Sequence, residues 1–214
     1  MLTYLPYGKT HLPIEAPAER IMASRVDDIP KAESGDALVL AAMAEPIGSA
    51  RLCELAKGKK TCTLILSDHT RPVPSRCIVP HMLAELRKGN PDIAVTLLVA
   101  TGLHRDTTVN ELRAKLGDDI VNNETIVVHN AFDEAQNVFL GTLPSGAPLY
   151  IDKLAVETDL LIAEGFIEPH FFAGFSGGRK SVLPGVCGKE TVLGNHCGAF
   201  IASAQARTGL LDGN

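Results

Sequence analysis

The chain has no excess of positive charge, no long apolar run and no paired cysteine motif. With 20 Lys and Arg against 25 Asp and Glu, its formal net charge is -5. It therefore lacks the basic surface that non-specific nucleic-acid binding requires. No apolar run reaches the roughly 18 residues of a spanning helix, so no membrane segment is expected. Residues Met1 to Gly8 lack the basic and apolar regions of a secretory signal. The five cysteines, Cys53, Cys62, Cys77, Cys187 and Cys197, are odd in number and include no Cys-x-x-Cys pair. That argues against a disulfide scaffold or a zinc module and for a reduced, cytoplasmic protein. Burial among apolar groups is the expected state of Cys187 and Cys197.

What is present is an ordinary globular balance, 45% apolar and 21% charged, over 214 residues. This is enough for one sizeable core. No internal repeat or low-complexity segment is visible. Short continuous apolar runs at Thr61–Leu66, Ile93–Val99, Thr125–Val128 and Leu160–Ala163 read as strands covered on both faces. Helical patterns alternate with them. Val79–Lys88 places Met82, Leu83 and Leu86 on one face and ends at Gly89-Asn90-Pro91. Val109–Leu116 is stopped by Gly117, and Ala37–Met43 and Ala50–Lys57 read as helices leading into the first strand. A last helix is expected over Gly198–Thr208. The chain then stops without a closing element, as a fragment would. Alternation of strand and helix predicts an α/β fold, a Rossmann-like and mostly parallel sheet flanked by helices. Residues 1–214 are expected to form one such domain.

Right-handed crossovers put the strand C-termini on one edge, and the unusual residues fall there. The first strand is followed by Ser67-Asp68-His69-Thr70-Arg71-Pro72 and the second by Ala100-Thr101-Gly102-Leu103-His104-Arg105. The third is followed by His129-Asn130 and the fourth by a loop from Glu164 to His170. Asp68 and Arg71 read either as a local ion pair, worth little if exposed, or as a hydrogen-bonding carboxylate beside a carboxylate-gripping guanidinium. His69 between them reads as solvent-facing. His104, His170 and His196 could meet around a metal, since neutral imidazole suits nickel, copper, iron and zinc. Their spacing alone does not bring them together.

Glu168 to Ser181 (Glu-Pro-His-Phe-Phe-Ala-Gly-Phe-Ser-Gly-Gly-Arg-Lys-Ser) is poor material for a core strand or a surface helix. Its glycines allow close backbone approach, and Lys180 can act as a charge or, once deprotonated, as a covalent anchor. The Gly177-Gly178-Arg179-Lys180-Ser181 run fails the phosphate-loop pattern, because Arg179 separates glycine from lysine and position 173 is alanine. Glycines opening a helix still expose N–H groups to a phosphate or carboxylate.

Together, Ser-Asp-His-Thr-Arg-Pro-Val-Pro-Ser (67–75), Ala-Thr-Gly-Leu-His-Arg (100–105), the block 168–186 and Asn195-His196 resemble the nickel-dependent lactate racemase family. The resemblance runs from about residue 10 to the last residue, and the 168–186 block is its most specific part. It implies the N-terminal part of a two-domain enzyme that interconverts 2-hydroxy acid enantiomers. It also implies a nickel-pincer nucleotide, the nickel complex of pyridinium-3,5-bisthiocarboxylic acid mononucleotide, made by dedicated biosynthetic enzymes. On this resemblance Lys180 carries the cofactor covalently, His196 ligates nickel, and His104 and His170 are the acid–base pair. Asp68, His69, Thr70 and Arg71 border the cofactor, with Arg71 near the substrate anion. Family enzymes also hold substrate with a lysine and a glutamine of a C-terminal domain, to which no stretch of this chain matches. The alternatives are a racemase of another 2-hydroxy acid, such as malate or an aromatic hydroxy acid, or a non-catalytic nucleotide- or anion-binding domain. A zinc hydrolase is a further alternative, disfavoured by the missing carboxylate ligand.

Overall fold

Residues 1–22 and 33–214 are described in a computed structural model of the chain. It divides into two units, Met1–Glu33 and Ser34–Asn214. The first holds an antiparallel hairpin, β1 (Leu2–Tyr7) and β2 (Thr10–Glu15), in register from Leu2 opposite Glu15 to Tyr7 opposite Thr10.

The second unit starts with helix α1 (Gly35–Ala44), capped by Ser34 Oγ, which accepts from Ala37 N at 3.1 Å. A short α2 (Leu52–Leu55) follows, tighter than the Ala50–Lys57 expected. Then come β3 (Thr61–Ser67), α3 (Ser75–Gly89), β4 (Ala94–Ala100), α4 (Val109–Leu116), α5 (Asp118–Asn123) and β5 (Thr125–Val128). An antiparallel pair, β6 (Asn137–Thr142) and β7 (Pro148–Asp152), precedes α6 (Lys153–Val156) and β8 (Leu160–Ala163). Two-residue strands β9 (Pro169–His170) and β10 (Gly174–Phe175) form a minimal hairpin. A 3-10 turn at Gly178–Ser181, α7 (Lys189–Asn195) and α8 (Gly198–Ile201) complete the described elements. The last helix is shorter than the Gly198–Thr208 expected. Past Ile201 the chain turns repeatedly, and Gly209 N bonds back to Gly174 O at 3.0 Å.

The four strands predicted from apolar runs form one parallel sheet in the order β5-β4-β3-β8. Its direction of growth reverses between β3 and β8, the doubly wound arrangement whose ligand crevice lies at the reversal. Side chains alternate across the sheet as the strand period demands. Cys62, Leu64 and Leu66 of β3 join Val95, Leu97 and Val99 of β4 on the face covered by α3 and α4. There α3 contributes Val79, Leu83 and Leu86 at helical spacing, all buried, while Met82 is only partly so. Truncating a fully buried residue such as Leu64 to alanine costs about 2–5 kcal/mol. Ile65 and Leu98 point to the opposite face. Instead of a long helix, that face is covered by α6, by Ile151 of β7 and by Val182 and Val186. Asp152 ends β7 and caps α6 by accepting from Leu154 N at 3.0 Å.

Candidate active site

Two walls rise from the C-terminal edge of the sheet. The first is the loop after β3. Asp68 is 2% exposed. Its Oδ1 accepts from Thr70 N at 3.1 Å and from Thr70 Oγ1 at 2.7 Å, closing a tight turn, while Oδ2 lies 2.6 Å from His104 Nδ1 in the loop after β4. Burial pushes the Asp68 carboxyl up, but the hydrogen bonds from Thr70 and His104 outweigh it and hold its pKa below the ordinary value. Arg71 makes no ion pair with Asp68; its Nη1 donates to Thr70 Oγ1 at 3.1 Å and the side chain is exposed. His69 faces away from solvent more than expected, with Nδ1 3.0 Å from Thr107 Oγ1.

Beneath this loop lies an acidic residue that the sequence placed only at a strand end. Glu164 follows β8 and is 5% exposed. Its Oε1 accepts from Ser67 N, Ser67 Oγ and Ser75 Oγ at 3.1, 3.0 and 3.1 Å, while Oε2 is buried with no partner. Lys115 of α4 donates from Nζ to Arg71 O at 3.2 Å. Burial lowers the Lys115 pKa, and the carboxylates of Glu164 and Asp68 act against that shift. Lys115 was not singled out from sequence, since a lysine near a helix end is ordinarily a solvated charge.

The second wall is glycine-rich. Gly174 and Gly177 adopt φ of +75° and +82°, which other residues rarely adopt. A Cβ on Gly174 would meet Leu210 O at 1.8 Å, and one on Gly177 would meet Phe166 O at 2.5 Å. This packing holds the half-buried His170, whose Nδ1 accepts from Phe172 N at 3.4 Å and Ala173 N at 3.2 Å. Its ring stacks on Phe171 at 4.9 Å and meets the edge of Phe172 at 4.6 Å; Phe172 in turn meets His196 at 5.5 Å. Burial lowers the His170 pKa, and the charges of Lys180, Arg71 and His196 lower it further. Lys180 is likewise depressed, by burial and then by Arg71. His196 lies 3.0 Å from Val192 O through Nδ1.

Lys180 and His196 line one cavity of about 1440 Å³ together with Phe172, Gly177, Gly178 and Arg179. His104 opens instead onto a smaller groove of about 580 Å³, shared with Asn130 and Phe132. The walls are joined by Gly102 N donating to Gly185 O at 2.9 Å. Arg71 acts electrostatically on both His170 and Lys180, which ties the first loop to the 168–181 stretch, while His104 and His170 do not line the cavity that holds Lys180 and His196.

Two further strand-end residues line the His104 groove but are committed to other partners. His129 is 0% exposed, with Nδ1 2.8 Å from Asp152 and Nε2 3.1 Å from Cys187 O, and serves the core beneath the site. Arg105 is held by Glu111 at 2.6 and 2.9 Å. Glu111 also completes the capping box of α4 with Thr108. All five cysteines are free, and burial pushes the Cys187 thiol up to about 12. Among the described residues, no cluster of three or more His, Cys, Asp or Glu could hold a metal ion by itself.

The model of the lactate racemase N-terminal domain matches residues 7–209. The chain belongs to the lactate racemase N-terminal domain family. It is 52% identical over 213 residues to the lactate racemase of Thermoanaerobacterium thermosaccharolyticum, covering 98% of this chain and 50% of the relative. Against the lactate racemase of Lactiplantibacillus plantarum the identity is 58% over 166 residues, covering 78% of this chain and 39% of the relative. The chain thus spans half or less of the curated lactate racemases it matches. The structure of the T. thermosaccharolyticum lactate racemase apoprotein superposes with a TM-score of 0.90 at 51% identity, over all of this chain and 50% of that one. A Thermotoga maritima crystal structure at 24% identity, with a TM-score of 0.63 over 83% of this chain and 43% of that one, shares the fold. No helix among the described residues is long and apolar enough to cross a membrane.

Proposed function

We propose that residues 1–214 are the N-terminal, cofactor-binding part of a 2-hydroxy acid racemase, with lactate as the first substrate to test. The observation that carries this reading is the pairing of Lys180 and His196 in one cavity. Lys180 is half-buried, and burial and Arg71 both favour its neutral, nucleophilic amine. The Nδ1 of His196 is engaged by Val192 O, which leaves Nε2 for a metal. These residues fit a lysine-tethered nickel-pincer nucleotide. With no metal cluster among the described residues, nickel would take its remaining ligands from that organic group. Gly178, with open space where a Cβ would stand, would let the backbone approach its phosphate closely. The bound cofactor would supply a reversible hydride acceptor.

The chain's own residues supply binding and proton transfer. The Cα–H of a 2-hydroxy acid is too weakly acidic for easy direct abstraction, so oxidation to the 2-keto acid is the accessible route. Arg71 grips the substrate carboxylate. Oxidation also releases the hydroxyl proton, and a histidine that accepts it contributes about 10²–10⁴ in rate. His104 and His170 serve as that pair, one base for each enantiomer. Asp68 supports the role of His104 by holding Nδ1–H and leaving Nε2 to the substrate. Asp68, His69 and Thr70 border the cofactor, His69 being oriented by Thr107. The partners are then a small 2-hydroxy acid and the enzymes that make the cofactor. A cytoplasmic setting fits the free thiols.

The test is a chiral assay on the full-length protein co-produced with the cofactor-making enzymes. Interconversion of L- and D-lactate is expected. Protein that carries both nickel and cofactor yet leaves lactate, malate and aromatic hydroxy acids unconverted would overturn the reading.

A further inference from the structure

The three site histidines differ in what meets Nδ1. His104 Nδ1 faces Asp68 Oδ2 at 2.6 Å, and that carboxyl, held below its ordinary pKa, can only accept. Nδ1 of His104 therefore carries hydrogen, and Nε2 presents a lone pair. His196 Nδ1 faces the Val192 carbonyl, also purely an acceptor, so it is set the same way. His170 is the reverse. Its Nδ1 faces two backbone amides, Phe172 N and Ala173 N, which can only donate. A neutral ring so held is bare at Nδ1 and carries its proton on Nε2. Lys180, Arg71, His196 and Glu168 act on His170 through space. Among the described residues no side chain hydrogen-bonds to either of its ring nitrogens, so the backbone turn sets its tautomer.

We propose that His104 and His170 rest in opposite tautomers, His104 as a ready base at Nε2 and His170 as a hydrogen-bond donor at Nε2. The tautomers follow from hydrogen bonding alone; their kinetic consequence rests on the racemase reading above. A hydroxy acid whose hydroxyl meets His104 finds an acceptor already present. For His170 to accept a proton at Nε2, the proton there must leave and Nδ1 must take one up. That breaks the bonds from Phe172 N and Ala173 N, so the ring has to rotate or the 170–173 turn has to open. The stacked Phe171 and edge-on Phe172 favour the resting ring orientation. The two enantiomers therefore meet an unequal site. Because enantiomers have equal free energies, kcat/KM must be the same in both directions, and the inequality appears as kcat and KM differing by a common factor.

The direct test is nitrogen NMR of the full-length protein labelled with ¹⁵N-histidine, at a pH above the imidazole range. Signals are assigned with His104→Gln, His170→Gln and His196→Gln, or by through-bond correlation where a variant does not fold. The expected pattern is a bare Nε2 in His104 and His196 and a bare Nδ1 in His170. His170 found predominantly with hydrogen on Nδ1 would overturn the proposal, whatever the enzyme's activity. The second arm is the loaded enzyme assayed from each enantiomer, where kcat and KM should both differ, in step, by at least about threefold. Equal kcat and equal KM would overturn the kinetic half. Opposed tautomers in a loaded protein that converts no hydroxy acid would uphold the tautomer assignment and remove the racemase reading instead.

Discussion

The wall carrying His104 and the wall carrying His170 hold their histidines by different means. His104 is bound by a buried side-chain carboxylate, itself fastened by Thr70 and backed by Lys115 and Glu164. His170 is bound by two backbone amides in a turn that depends on glycines without room for a Cβ. The first wall is held by buried polar contacts, whose loss strands donors and acceptors away from water. The second is held by backbone conformation and aromatic edges. On the proposed function the difference suits unlike tasks: one wall would fix a base, while the other would admit a bulky group at Lys180.

Disabling the histidines one at a time is the largest expected break. His104→Gln and His170→Gln should each lower racemisation by about 10²–10⁴-fold without loss of the folded state, read by chiral assay beside a urea melt. Next, Glu164→Ala removes the acceptor of Ser67 N, Ser67 Oγ and Ser75 Oγ. It should destabilise the unit by about 3 kcal/mol in denaturant unfolding and loosen the Asp68 loop, leaving the glycine wall folded. Gly177→Ala strikes the other wall through its φ of +82° and the Phe166 carbonyl. A cost of about 1–3 kcal/mol is expected, with cofactor loading falling more than stability.

The subtlest separation is by pH. His170 is depressed in the folded protein, so the unfolded chain binds its proton first. Its contribution to stability is complete above the ordinary histidine value of about 6.5 and is lost as pH falls through the lowered folded value. Asp68 is depressed from a lower starting point, so its contribution is kept until pH falls below about 4. Urea titrations of the parent, His170→Gln and Asp68→Asn should therefore show the glycine wall weakening first and the carboxylate wall only at stronger acidity.

The parallel sheet was readable because its central strands are covered on both faces, so Thr61–Leu66 appears as an uninterrupted apolar run, and the partly exposed edge strands β5 and β8 are apolar as well. The β6–β7 pair was not. It is largely half-exposed and broken by a register shift between Phe139 and Gly141, which leaves no clean period. Prolines 6 and 13 hid β1 and β2 in the same way. The site's residue types were legible as blocks. Its wiring was not, because Glu164 reaches Ser75 across 89 positions and His104 reaches Asp68 across 36. His129 misled by position: ending a strand, it reads like His104, and only the distant Asp152 and Cys187 carbonyl reveal it as a core residue.

Mass spectrometry of the full-length protein, co-produced with the cofactor-making enzymes and digested to peptides, tests the central claim most directly. The account predicts an adduct of mononucleotide mass on the peptide containing Lys180, nickel in the intact protein, and neither in Lys180→Ala. An active, nickel-containing preparation in which Lys180 is unmodified would contradict it.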